Sequence, residues 1–510
     1  MPTSIKSDEN LESQLNEDYK ESPELAISSA HREYAIERHG THELEPFPDH
    51  NDADPLNWPR PKKWLNLFFI AFHAFMATFT AAAIQSAFED ISIDLDRTIP
   101  QVSYLVSLVI AVLGVAPIFW RPLANRFGRR PILLCSLVIS LVGNVGCAKS
   151  PTYSTMALCR AITAFGISPA AAIGAGMVQE MFFKHQRGRY LGVWTMFVTL
   201  GVPVAPFIFG FVALRVGYRW IYWILAIVSP DLNELRSQGA NKPLLKTNAL
   251  QLILYFVFGS ETRYIRGEDN QVPFSYVKSL VHFRRMGQTP LTIWDFIKPL
   301  RVGVFPCVAI PAIAYSMVFN LANVFPTIEI PQLYVEKFHQ NTQEVGLQFG
   351  AVIIGTLLGE QVGGHLSDRW MRQKRAIAQE YRLWLSYFGY ALSIIGIVVF
   401  LVQLDKAGKT WNITPTVGVG IAAAGNQIVT TVLITYAVDC HPQEATSIGV
   451  FVTLVRQVWG FIGPFWFPPL LNNVGLVKSL GVIIALIVGG SALPTVMLQW
   501  KGKSWRKMVE

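Results

Sequence analysis

The sequence predicts an all-α membrane protein built from two six-helix bundles, and three observations carry that prediction. Apolar residues make up 51% of the chain and charged residues only 15%, with a mean hydropathy of +0.33, a balance too apolar for a soluble domain. The apolar residues fall in runs long enough to cross a bilayer, which takes roughly 20 residues of helix. One short basic turn between two such runs occurs twice: Trp120 to Pro131 reads WRPLANRFGRRP, and Gly363 to Trp370 reads GGHLSDRW, followed by Arg372, Lys374 and Arg375. A connection repeated at corresponding places in two halves marks an internal duplication, as in transporters with paired bundles.

Taken in order, residues 1–60 read as a disordered N-terminal tail, polar, rich in Glu, Asp, Ser and His, and without helical periodicity. No cleavable signal is expected, so the first apolar run acts as an uncleaved anchor. Apolar segments of spanning length begin near Trp64, Val102, Pro131, Thr155, Tyr190, Val302, Val345, Leu383, Thr416, Thr446 and Leu480. These are spans 1–5 and 7–12. The division that follows is a first bundle over 61–259, a central loop over 260–301, a second bundle over 302–500 and a tail over 501–510.

Span 6 is broken. Arg219 to Val228 (RWIYWILAIV) and Leu250 to Gly259 (LQLILYFVFG) are apolar, but each is only about 15 Å long as a helix, half a bilayer. Between them, residues 229–249 carry Asp231, Glu234, Arg236, Lys242 and Lys246, charges that are costly inside a membrane. Val228-Ser229 permits a splice-donor consensus, Thr247-Asn248 a branch point and Gln251 an acceptor. The expectation is that 229–249 is retained non-coding sequence and that the flanks join into one span. The rival reading is a re-entrant element, since transporters use broken helices.

Charge placement sets the orientation. Arg121, Arg126, Arg129 and Arg130 lie between spans 2 and 3; Lys184, His185, Arg187 and Arg189 between spans 4 and 5; Arg369, Arg372, Lys374 and Arg375 between spans 8 and 9. The loop after span 1 carries Glu89, Asp90, Asp94 and Asp96 instead. The positive-inside rule then puts both termini and the central loop in the cytoplasm, provided span 6 crosses. The net charge of +8 therefore reflects membrane orientation and not a nucleic-acid partner. Cys135, Cys147, Cys159, Cys307 and Cys440 lie in or beside apolar segments without metal spacing, and read as small packing residues. No cofactor or metal site is expected, and the chain reads as a monomer in the plasma membrane.

The repetition goes beyond the basic turn. Leu191-Gly192-Val193-Trp194-Thr195 is echoed by Ile448-Gly449-Val450-Phe451-Val452-Thr453, Ala205-Pro206 by Gly463-Pro464, and Glu180 by Asp439. Together with Asp54-Pro55-Leu56-Asn57-Trp58-Pro59, Asn125-Arg126-Phe127-Gly128-Arg129-Arg130, Arg219-Trp220-Ile221-Tyr222-Trp223, Glu261-Thr262-Arg263-Tyr264 and Ala424-Gly425-Asn426-Gln427, these strings resemble the major facilitator superfamily over about residues 50–510. Within it, the chain looks like the fungal twelve-span drug:proton antiporters, which include efflux pumps for secondary metabolites. The resemblance implies the major facilitator fold with pseudo-two-fold symmetry, and a continuous span 6. Two departures stand out: Asn125 replaces the usual aspartate of the first basic turn, although Asp368 keeps it in the second, and the Gly-Pro of the span 5 antiporter motif is Ala205-Pro206, within Gly201, Pro203, Pro206 and Gly210.

Ionisable residues inside spans are expensive and mark function. Arg160 lies in span 4, and the resemblance implies a role in proton coupling; a fixed positive charge stabilises a nearby carboxylate. The bland reading is a structural ion pair or a snorkelling side chain. Glu360, in span 8 beside Gly355 and Gly359, suits a proton carrier or a satisfied interface glutamate. Arg456 in span 11 can pair across the bundle or anchor the span end. Glu329, between Pro326 and Pro331, is expected at the solvated outer mouth. Asn426 and Gln427 in span 10 and Trp459 in span 11 are substrate-cavity candidates, with interhelical hydrogen bonding as the alternative for the two amides. Gly128 permits a tight turn whose Arg126, Arg129 and Arg130 can clamp acids such as Glu180, a cytoplasmic latch matched in the second half by Gly364, Asp368, Arg369 and Asp439. Asn412-Ile413-Thr414 is a nominal glycosylation acceptor on the outer side.

These features point to a proton-coupled secondary transporter that exports small organic compounds by alternating access, with no nucleotide-binding loop and no enzyme constellation. Its partners are a small organic substrate, protons and the lipid bilayer. The alternatives are an uptake symporter or facilitator for an organic cation or nutrient and, from another class, a membrane sensor without flux.

Overall fold

The computed structural model describes residues 29–40, 44–226, 248–264, 292–373, 379–441 and 444–507. Among these the secondary structure is helical throughout, and eleven helices are long and apolar enough to cross a membrane. Spans 1–5 are Arg60–Asp94, Ile99–Phe127, Arg129–Lys149, Tyr153–Met181 and Tyr190–Val216. Spans 7–12 are Pro306–Phe338, Thr342–Gln373, Trp384–Lys406, Thr414–Cys440, Ala445–Val474 and Leu476–Arg506.

Local chemistry sets the ends. Thr98 and Gln101 form a capping box that starts span 2, and Thr152 with Thr155 does the same for span 4. Span 2 stops and span 3 starts at one residue, Gly128, whose φ of +94° is disfavoured for a side chain. Gly217 after span 5 and Gly475 after span 11 both adopt φ +88°, so equivalent turns of the two halves use the same device. The basic "loops" are thus largely helix: Arg121 and Arg126 sit on the last turns of span 2, and the second copy lies on the helix running to Gln373.

The first half packs span 1 on span 5 and span 3 on span 4; the second packs span 10 on spans 7 and 9. The halves meet through two long contacts, span 2 with span 11 and span 5 with span 8, a pairing that respects the pseudo-two-fold relation. The face carrying the Gly128 turn is called the basic face below.

Span 6 is present as two pieces. Arg219–Ala226 and Asn248–Phe258 both pack on span 3. The first piece sits at one end of span 3, where Arg219 donates to the carbonyls of Ala148 and Ser150 at 3.2 and 2.8 Å. The second begins midway, where Asn248 donates to Ser140 Oγ at 3.3 Å, and ends where Arg130 donates to the Phe256 carbonyl at 2.7 Å. The two follow one another along a single neighbour. Asn248 and Ala249 belong to the second piece, which corrects the 229–249 bounds of the insert; the rest of that insert lies outside the described residues.

Three boundaries are corrected. Part of the N-terminal tail is folded: Ser29–His39 is a helix, and Ala35, Leu44, Leu56 and Phe183 bury one another with Phe47 against them, because this polar stretch carries enough apolar residues for a small satellite core. The end of the central loop is a helix, Ile293–Arg301, which touches spans 2 and 11 while Ile293 and Trp294 stay exposed, as befits a helix at a membrane surface. Span 12 continues past residue 500, and Arg506 reaches Glu380 at 3.4 Å.

Candidate functional site

A cavity lies between the halves. Span 1 contributes residues such as Thr78 and Gln85, span 2 Val106 and Ile110, span 5 Thr199, and the second half adds wall from spans 7, 8, 10 and 11. Span 7 reaches it through a π-helical turn, Asn320–Val324, that exposes Asn323 and Val324 to the space. Such wide turns gather at functional places. Asn320 itself is fully buried, and neither of its side-chain polar atoms has a partner among the described residues.

Three residues singled out from the sequence line the cavity: Asn426, Gln427 and Arg456. Trp459 is not among the lining residues; it is half-buried against the apolar core. Glu360 stands behind Gln427, whose Nε2 donates to Glu360 Oε2 at 2.5 Å, with Thr431 donating to the same oxygen at 3.4 Å. The amide therefore connects cavity to carboxylate. Gly355 and Gly359 make this possible, because a Cβ on either would meet the span 10 backbone at 2.0 or 2.5 Å.

Arg160 is buried, but its partners are not carboxylates. It donates to the carbonyls of Leu105 and Ala81 at 3.2 and 3.0 Å and to the Tyr222 hydroxyl at 3.1 Å, tying span 4 to spans 2, 1 and 6. Glu329 differs more sharply from expectation. It is 1% exposed, and its Oε1 has no partner among the described residues. The flanking prolines read as the end of a span, but span 7 continues to Phe338; the π turn rearranges the backbone ladder just before Pro326.

Around the Gly128 turn the expected arginines are engaged. Arg129 pairs with Glu180 at 2.9 Å, and Thr262 donates to the other Glu180 oxygen at 2.8 Å. Glu261 accepts the backbone N–H groups of Arg129, Arg130 and Arg263 at 2.9, 3.0 and 2.9 Å. Burial pushes the Glu261 carboxyl above its ordinary range, against the pull of those donors. In the second half Arg382, which precedes span 9 as Arg129 opens span 3, pairs with Asp439 at 3.2 Å. All the Arg129 partners lie in the first half, so this is a clasp within a bundle. A contact that crosses on the basic face is Arg121 to Ser447 at 3.1 Å, and Ser447 donates to Glu444 at 2.6 Å. Asn125 and Arg126 are half-buried on the last turn of span 2. Gly364 faces open space, and the side chains of Asp368 and Arg369 lie outside the described ones.

The opposite face is closed across the halves. Thr342 donates to Asp90 at 2.9 Å, and the Tyr104 and Phe465 rings stack at 4.5 Å. Gly201 lets span 5 lie on span 1, where a Cβ would meet the Phe75 carbonyl at 2.5 Å; Gly210 lets it lie on span 8, 2.8 Å from the Thr342 carbonyl. Pro203 is inside the same helix and Pro206 presents its carbonyl to Gly346. Asn412 is exposed, and its Oδ1 accepts from Thr414 N at the start of span 10. Glu261, Glu329, Tyr222, Tyr315 and Arg121 were missed as site residues. The one signal for Glu329 was an acid within an apolar run.

Two bundles around a shared cavity define a multi-pass membrane transporter. The Major Facilitator Superfamily model matches residues 67–464, and the chain belongs to that superfamily. It is 24% identical over 463 residues to an uncharacterised transporter of Schizosaccharomyces pombe, covering 88% of this chain and 90% of that one. It is 25% identical to the efflux pump vrtL of Penicillium aethiopicum, with 86% of each chain covered. It is 24% identical to the probable efflux pump mfs2 of Aspergillus flavus, covering 80% of this chain and 94% of the relative.

Proposed function

We propose that this transporter exports small organic compounds in exchange for protons, by rocking of the two halves about the central cavity. The observation that carries the reading is the Gln427–Glu360 hydrogen bond: a carboxyl one residue behind the cavity wall can exchange a proton in step with cavity occupancy. Efflux pumps among the relatives support the outward direction. The basic face is cytoplasmic by its arginines, the chain works as a monomer in the plasma membrane, and the closed opposite face makes this arrangement the one that loads from the cytoplasm. The clasps at Arg129–Glu180 and Arg382–Asp439 keep each bundle rigid while the bundles move.

Span 6 enters this reading as one crossing made of Arg219–Ala226 and Asn248–Phe258. Their shared course along span 3 supports a working chain in which the two are joined directly. A chain lacking residues 229–247 then matches or exceeds the full chain in expression and transport.

The test uses everted vesicles from cells expressing the chain, acidified inside and followed with a pH-sensitive dye while a panel of apolar drugs and metabolites is added. Proton release that depends on added compound and disappears in Glu360→Gln supports exchange. Compound accumulation without proton movement, or proton release intact in Glu360→Gln, refutes the role of this carboxyl. Substrate-driven proton flow in the same direction as the compound favours uptake instead.

A further inference from the structure

Of the described residues that line the cavity, one carries a permanent charge: Arg456. Its guanidinium has no carboxylate partner among the described residues. Nη1 donates to the Tyr315 hydroxyl at 3.3 Å, the guanidinium carbon lies 5.0 Å from the centre of the Phe319 ring, and Nε is buried with no partner. A cation held in a membrane protein without a counter-charge is expensive, and neither a phenol nor a ring face cancels a full charge. The other polar residues of the wall are neutral amides and hydroxyls, Gln457, Asn426 and Asn323 among them, and the remainder, with Ile110, Val324 and Ile328, is apolar. Glu360 is held behind Gln427 by its own hydrogen bonds.

We propose that the cavity binds amphipathic organic anions, a carboxylate or phenolate on an apolar frame, with the acid group on Arg456. A guanidinium presents a planar fork of donors matched to a carboxylate, Nε is unoccupied, and the Phe319 and Tyr315 rings flank the place where an apolar frame would lie. This substrate class deepens the export reading and rests on the same cavity, but it concerns binding and not direction or coupling.

The test is equilibrium binding to the purified full chain in detergent, using three molecules of one shape: naphthalene-1-acetate, its neutral acetamide and naphthylmethylammonium. The parent is expected to bind the acetate roughly 10–100-fold more tightly than the acetamide, the span of a charge-assisted pair over a neutral one, and the ammonium weakest. Arg456→Gln brings the acetate down to the level of the acetamide while leaving the acetamide unchanged, and Arg456→Lys keeps part of the preference. Equal binding of acetate and acetamide by the parent overturns the proposal without any variant, as does a preference that survives in Arg456→Gln. Acetate binding through Arg456 with no proton exchange in vesicles sinks the export reading and leaves the anion site standing; compound-driven proton exchange with no acetate preference does the reverse.

Discussion

Replacing Gly346 with alanine tests whether the opposite face must close for the cavity to be sealed. The new Cβ lies 2.7 Å from the Pro206 carbonyl oxygen and 3.1 Å from Gly210 Cα. The first is about 0.7 Å short of the 3.4 Å where ordinary contact begins. Both obstacles are backbone, so no side chain can turn away, and spans 5 and 8 must part. Overpacking of this kind costs about 1–3 kcal/mol. An arrangement open on this face separates the two spans and escapes the penalty, so the open population rises roughly 5–150-fold. The assay is the labelling rate of Val106→Cys, a cavity-wall position, by an impermeant thiol reagent applied to the opposite face, with the native cysteines giving the background. Gly449→Ala is the control, because nothing lies within 4 Å of its Cβ. Gly346→Ala protein that elutes and melts like the parent yet labels at the parent rate refutes the reasoning.

Three further outcomes follow from other contacts. Glu261→Ala leaves three buried N–H groups without an acceptor, so it lowers stability by about 2–4 kcal/mol, read as thermal unfolding in detergent; Glu261→Gln, which keeps one acceptor oxygen, loses less. Arg129→Ala strands Glu180 and costs more in the same assay than Glu180→Gln, which keeps hydrogen bonding to Arg129 and Thr262. His39, whose pKa desolvation holds below 6.5, sits 3.0 Å from Asn57 and edge-on to Phe183. A depressed folded value means its stabilisation is present above about pH 6.5 and is lost as pH falls below it, so the folded tail becomes more sensitive to protease between about pH 7 and about pH 5, and His39→Gln removes that dependence.

Much of the architecture was legible because bilayer crossing imposes a length rule on apolar runs, and all eleven expected spans are helices that satisfy it. The duplication was legible because symmetric positions need the same chemistry; Glu180 and Asp439 were matched by sequence alone, and each is paired to an arginine near the start of the preceding span. What escaped depended on packing. Glu329 looked solvated because two prolines beside an acid read as a mouth, and only the π turn explains how the helix continues. Arg160 was read as acting on a nearby carboxylate, as an ion pair or as a snorkelling side chain, yet carbonyls and a phenol surround it. Trp459 and Arg456 are three residues apart on one helix, and only the helix's rotation decides which faces the cavity.

The π turn of span 7 has a consequence for tolerated change. A π turn holds one more residue than the α-helix that would replace it. Excising one residue from Asn320–Val324 would let the ladder close as an ordinary α-turn, which covers nearly the same rotation with one residue fewer. Thr327 and Ile328 would keep the cavity wall and Glu329 its buried seat, whereas one residue removed from the α-helical part of the span would turn everything beyond it by about 100°. The π turn is thus a place where span 7 can lose a residue without re-aiming the half beyond it.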